Sequence, residues 1–154
     1  MGQYDRVSFE SKKVTRRQRQ AIHHVSGLTS ARFNLALHPA QGSWMPKTDW
    51  SGTSHMGAGA ADLYVYGMST MKDDDLHEIT RLLRREGGQA AFLRGPFVDM
   101  PWHWHVLDLD THGMDPWAAN FQVPEYRKGN DGLHAGVKDP FPYRPSPIRK
   151  WDFK

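Results

Sequence analysis

The sequence predicts an α+β fold, a small antiparallel sheet flanked by helices. Three observations lead there. Helical and strand-like stretches are mixed without regular βαβ alternation. Several short stretches alternate with the two-residue period of a half-buried strand. The 154 residues suit one hydrophobic core and not two.

The first 13 residues are polar and charged, and are read as a loose arm. A helix is expected from Thr15. Thr15 with Gln18 fits a capping box, Ala21, Ile22 and Val25 form the apolar stripe, and Gly27 is a natural stop. Arg16, Arg17 and Arg19 are then a solvated helix face. Phe33 to Leu37 reads as a strand ending near Pro39, and residues 38–60 as a long loop. Asp62 to Tyr66 is a second strand, with Asp62, Tyr64 and Tyr66 on one face. Asp73 to Glu86 is the clearest helix. Leu76, Ile79 and Leu83 make its stripe, acids crowd its first turn, Arg84 and Arg85 its last, and Gly87 ends it. Residues 90–93 and 102–109 give two more strands. Asp115-Pro116 opens a helical stretch that Pro124 should break. From Gly129 the chain is rich in Pro, Gly and charge, and reads as an extended tail wrapping the domain or meeting a partner.

Composition excludes some chemistry. There is no cysteine, so disulfides and thiolate metal sites are ruled out, and any metal must be held by His, Asp or Glu. Nine histidines make metal worth testing. No apolar run reaches the roughly 18–20 residues that span a bilayer, so no membrane partner is expected. The net charge of +3 suits an anionic target. The basic residues do not cluster with aromatics along one element, so nucleic acid is not expected. Trp44, Trp50, Trp102 and Trp104 sit among polar residues. They either edge a core or line a groove for a peptide or sugar, and Trp104 is the candidate substrate contact.

Two segments concentrate possible ligands. In Thr53 to Asp62, small residues separate His55 from Asp62, so a loop histidine can fold back beside an aspartate at a strand start. In Asp99 to Val106, His103 and His105 are two apart on a strand and point to the same face. One can bind metal while the other stands beside it. Asp99, just before, can accept a proton or orient His103.

In this pattern the chain resembles the D-alanyl-D-alanine carboxypeptidase and hedgehog-type zinc peptidase superfamily. Thr53, His55, Ala60 and Asp62 match its Ser-X-His-X-X-Gly-X-Ala-X-Asp segment, with Ala58 in place of the Gly. His105 matches the later zinc ligand, and Asp99, His103 and His105 are similar to the acid-X-X-X-His-X-His run of hedgehog-type members. More narrowly, the chain looks like peptidase domains of phages and actinobacteria. The shared features are Gln41-Gly42-Ser43, Gly52 to Leu63, Arg81 to Arg85, His103 to His105, and Tyr126 to Leu133.

The resemblance implies a hedgehog/DD-peptidase-like fold over residues 14–135, with the arm at 1–13 and the Pro-rich tail at 136–154. It implies one Zn2+ on His55, Asp62 and His105, with a fourth position for water. Asp99 and His103 would be the catalytic pair, and Gln41 and Ser43 substrate contacts. The implied reaction is hydrolysis of peptide bonds in peptidoglycan stem peptides. Where the family commonly has an upstream Arg, this chain has Gln41, which favours an endopeptidase over a carboxypeptidase. The polar N-terminus carries no secretory signal, so the expected setting is a phage lysis enzyme released from the host cytoplasm to the wall, or a virion-borne lysin. The alternative is a non-catalytic zinc module of a phage particle, in contact with other virion proteins.

Overall fold

The computed structural model describes residues 2–46, 53–96 and 101–154. Among them the architecture is α+β, with small antiparallel sheets and three α-helices. The chain opens with a hairpin, β1 (Arg6–Phe9) and β2 (Lys12–Thr15), whose turn holds Glu10 at a φ of 51°. Residues 2–13 are therefore not a loose arm. Phe9 and Val14 are buried in the main core, and that burial docks the hairpin.

Helix α1 spans Arg16–Phe33. Its Thr15 cap accepts from the Gln18 backbone N–H at 3.1 Å, as expected. The Gln18 side chain does not complete the box, because it reaches inward to the Gly59 carbonyl and to Gln89. Gly27 does not end the helix. A glycine inside a helix costs only about 1 kcal/mol, and the buried stripe runs on through Val25 to Thr29. Asn34, left-handed with a φ of 57°, caps it instead. The strand expected from Phe33 thus begins later, as β3 (His38–Gln41). Arg17 is not solvated either. It is 2% exposed and its Nε meets Asp108 at 2.7 Å.

The remaining elements are β4 (Ala60–Tyr64), α2 (Asp73–Arg85), β5 (Gln89–Arg94), β6 (His103–Asp108) and the short α3 (Val123–Arg127). Pro124 does not break the last helical stretch. It sits in the first turn of α3, where its missing N–H is harmless, and a π-helical stretch at Ala118–Gln122 precedes it.

The sheet order is β3-β4-β6-β5, antiparallel throughout. Alternation gives it two faces with different work. Ala61, Leu63, Trp104, Val106 and Ala91 face the main core with Ile22 and Val25 of α1 and Ile79 and Leu83 of α2. Ala60, Leu107, Ala90 and Phe92 lie on the other face and pack with Ala118 and Tyr126. The same second face carries Asp62, His103 and His105. Half of it is apolar and covered, and the other half is chemical.

The C-terminal residues wrap this frame. Arg84, fully buried on α2, ends on Asp139 at 2.6 Å and donates to the carbonyls of Phe141 and Tyr143. Arg17 donates to the carbonyl of Trp151. Replacing Asp139 by Asn would leave Arg84 a buried cation without its carboxylate while the rest of the tail still covers it. Losing one partner of a buried pair costs about 3–5 kcal/mol. Ending the chain at Lys138 removes that carboxylate together with both carbonyl acceptors, and should lower the urea unfolding midpoint. An unchanged midpoint would show that the tail is an ornament.

Candidate metal centre

The site is built outward from Asp62. On β4 it pairs in register with His105 on β6, which brings two residues 43 apart in sequence to adjacent strands. His103 and His105 share that face, as their spacing predicts. His55 comes from a 3-10 turn at Thr53–Met56. The turn is held by two backbone bonds to the preceding segment, Trp44 N–H to the Gly57 carbonyl and Met45 N–H to the His55 carbonyl.

Two glycines make the approach possible. At Gly42 a Cβ would lie 2.3 Å from the Lys13 carbonyl oxygen, so hairpin strand β2 could not pack there against any other residue. Gly59 has a φ of 79°, which turns the chain from the His55 loop into β4. The small-residue loop read in the sequence is therefore a steric requirement.

The donor atoms converge. His55 Nε2 is 3.2 Å and His105 Nδ1 2.8 Å from Asp62 Oδ1. The potential ligand atoms of all three residues lie within 4.8 Å of one another, and all three residues are buried. The far nitrogen of each ring is already committed. His55 Nδ1 donates to the Gly42 carbonyl at 2.8 Å. His105 Nε2 faces Gln122 Oε1 at 3.4 Å, and Gln122 is oriented by its own donation to the Gly132 carbonyl. Metal-binding histidines are held in this way, with the outer N–H on an acceptor and the inner lone pair free.

Protons alone serve this cluster badly. With each outer nitrogen donating, each inner nitrogen can face the carboxylate favourably only if its ring is charged. Burial opposes charging both rings. Burial works against the charged form of His55, but the bond to Asp62, its charge and the Gly42 carbonyl outweigh it and raise the pKa. For His105 burial prevails over the same carboxylate, assisted by repulsion from His55 and Arg94, and the pKa is lowered. Asp62 is buried too, which favours its neutral form, yet the two rings hold its pKa well below the carboxylate range. A metal ion in place of the inner protons would satisfy both lone pairs and the carboxylate at once. This buried group could hold a metal ion.

The other predicted residues divide. His103 stands beside the cluster, with Nε2 3.9 Å from Asp62 Oδ2. Its Nδ1 donates to the Pro101 carbonyl at 2.9 Å, so that carbonyl orients the ring. Gln41 is 6% exposed and lies opposite Asp62 on β3, with its Oε1 unpartnered among the described residues. Ser43 is buried, and its hydroxyl donates to the Ala60 carbonyl and accepts from the Ala60 N–H. It ties the His55 loop to β4, and with its only donor committed and the side chain buried it is a positioning residue and not a substrate contact. Trp104 is also no substrate contact. It is fully buried on the opposite face of β6, and its indole N–H donates to Thr80 of α2 at 2.9 Å. Asp99 and Trp50 lie outside the described residues.

Two participants have no motif to announce them. Gln122 acts from the π-helical stretch, and the Gly42 carbonyl acts through backbone alone. Only strand register and the packing of α3 bring them in. Comparison with protein-family models, curated proteins and solved structures finds no match for this chain.

Proposed function

We propose that the chain is a zinc-dependent peptidase acting on peptidoglycan stem peptides. The observation that carries the reading is the convergence of two imidazole nitrogens and one carboxylate oxygen, each ring locked from behind. Two nitrogens and one oxygen without thiolate suit zinc, and three protein ligands are the usual complement of a catalytic zinc site, whereas structural sites use four. Bound there, zinc would polarise a carbonyl and lower the pKa of water toward about 7.

The chain's own residues supply the rest. His103 Nδ1–H is held by the Pro101 carbonyl, which leaves Nε2 to take a proton on the metal side of the sheet. Asp99 is assigned as its acidic partner from the resemblance. The wall-peptide substrate, and a phage or virion setting, rest on the same resemblance. Among the described residues no helix is long and apolar enough to cross a membrane.

The test is digestion of purified peptidoglycan with and without a chelator, followed by mass spectrometry of released peptides. Chelator-sensitive fragments are expected, and their ends name the bond. His103→Ala should keep one zinc per chain while turnover falls about 100- to 10,000-fold, the usual worth of a positioned acid or base. Full activity in that variant would remove His103 from the mechanism. No fragments from folded, zinc-loaded protein on several wall types would leave the non-catalytic zinc module as the better account.

A further inference from the structure

Three arginines are buried among the described residues: Arg17, Arg84 and Arg94. Two of them end on carboxylates, Arg17 on Asp108 at 2.7 Å and Arg84 on Asp139 at 2.6 Å. Arg94 does not. Its Nη1 donates to the Asp131 backbone carbonyl at 2.8 Å and its guanidinium lies over the Phe92 ring. Its Nη2 is buried with no partner among the described residues. The Asp131 carboxylate accepts from the N–H groups of Leu133 and His134 and makes no direct ion pair with Arg94 among the described residues. Asp62 is taken by its two histidines.

An unmatched buried donor is costly, and more so on a charged group, so the few that persist call for a specific explanation. Position provides one. Arg94 on β5 pairs in register with His103 on β6, and alternation puts it on the face that carries Asp62 and His105. Burial lowers its pKa only to about 10, so it stays charged at neutral pH. On the other flank, Gln41 on β3 carries an acceptor Oε1 with no partner among the described residues. The His55–Asp62–His105 cluster lies between that acceptor and Arg94 Nη2, across the strands.

We propose that Arg94 binds a carboxylate of the substrate, so that the peptide crosses the sheet with an amide N–H toward Gln41 and a carboxylate against Arg94 Nη2. This deepens the peptidase reading and rests on it. The carboxylate is either the C-terminal one of a stem peptide or the free α-carboxylate of its γ-linked glutamate.

The test uses the tetrapeptide L-Ala-γ-D-Glu-L-Lys-D-Ala in four forms: the free acid, the C-terminal amide, the glutamyl α-amide and the double amide. Each is titrated calorimetrically into zinc-loaded protein. One single amide and the double amide should bind about 10- to 100-fold more weakly than the acid, the worth of a charge-assisted hydrogen bond. The sensitive position names the source. Arg94→Gln should bind all four alike, and Arg94→Lys should keep part of the preference. Equal binding of the four to the wild-type chain, no binding of any, or an intact preference in Arg94→Gln overturns the proposal. Should Arg94→Gln not fold, the wild-type series and Arg94→Lys decide it. Wall digestion run in parallel separates the two readings. Cleavage without a carboxylate preference keeps the peptidase and removes Arg94, whereas preference without cleavage keeps Arg94 and removes the peptidase.

Discussion

Asp62→Asn should lower zinc affinity more than about a hundredfold while leaving the fold in place. The substitution keeps the shape of the side chain and removes its charge. Asp62 Oδ1 is the atom on which both rings converge, at 3.2 and 2.8 Å. Loss of an outer hydrogen-bond partner already costs about 10- to 100-fold in metal affinity, and loss of the anionic ligand must cost more. Gln122→Leu supplies the graded comparison, since it touches only the outer nitrogen of His105. Competition against a chromophoric chelator reads both. Thermal unfolding gives a second readout. Zinc at a hundred times its Kd should stabilise the wild-type chain by about 2.7 kcal/mol, about 5–10 °C for a domain of this size. The Asn variant should show no such shift at that zinc concentration. An Asn variant that binds zinc within threefold of wild type would mean that Asp62 is not a ligand.

The second large effect concerns stability. Trp104→Ala should destabilise the chain by about 3–5 kcal/mol, the range for emptying a buried aromatic site. Trp104 has no exposed surface, packs in the main core and bonds Thr80. It is also flanked on β6 by His103 and His105, so the cavity would open directly beneath the face that carries the His-Asp-His cluster. Denaturant unfolding would show the loss as a lower midpoint. A substrate-lining tryptophan would behave otherwise, with stability held and KM raised. That second outcome would return Trp104 to the groove.

The contrast between the histidines and Trp104 shows how far periodicity reaches. Alternation on β6 is a local property, so His103 and His105 on one face and Trp104 on the other follow from the sequence alone. What lies against each face does not. Helices α1 and α2 made one side the core, and α3 half-covered the other. Helix α2 was legible because its stripe, its acidic first turn and its basic last turn agree. Helix α1 runs past the end its sequence predicts because Gly27 is a weak stop when the buried stripe continues past it. The N-terminal hairpin is not legible in the sequence because its burial rests on Phe9 and Val14 within otherwise polar strands.

By itself the sequence determined the kinds of donor available, the absence of thiolate, and the two segments that carry His55, Asp62 and the His103/His105 pair. The tertiary structure decided which atoms meet. Register between β4 and β6 set His105 against Asp62, and the Gly42 carbonyl and Gln122 chose the nitrogen each ring turns inward. It also carried Arg94 to the same face, with no carboxylate partner among the described residues. The physical reason is range. Side-chain alternation and helix stripes arise from neighbouring dihedrals, and so are written locally. Strand register and buried pairing are settled by packing between segments far apart in the chain, where no short pattern records the outcome.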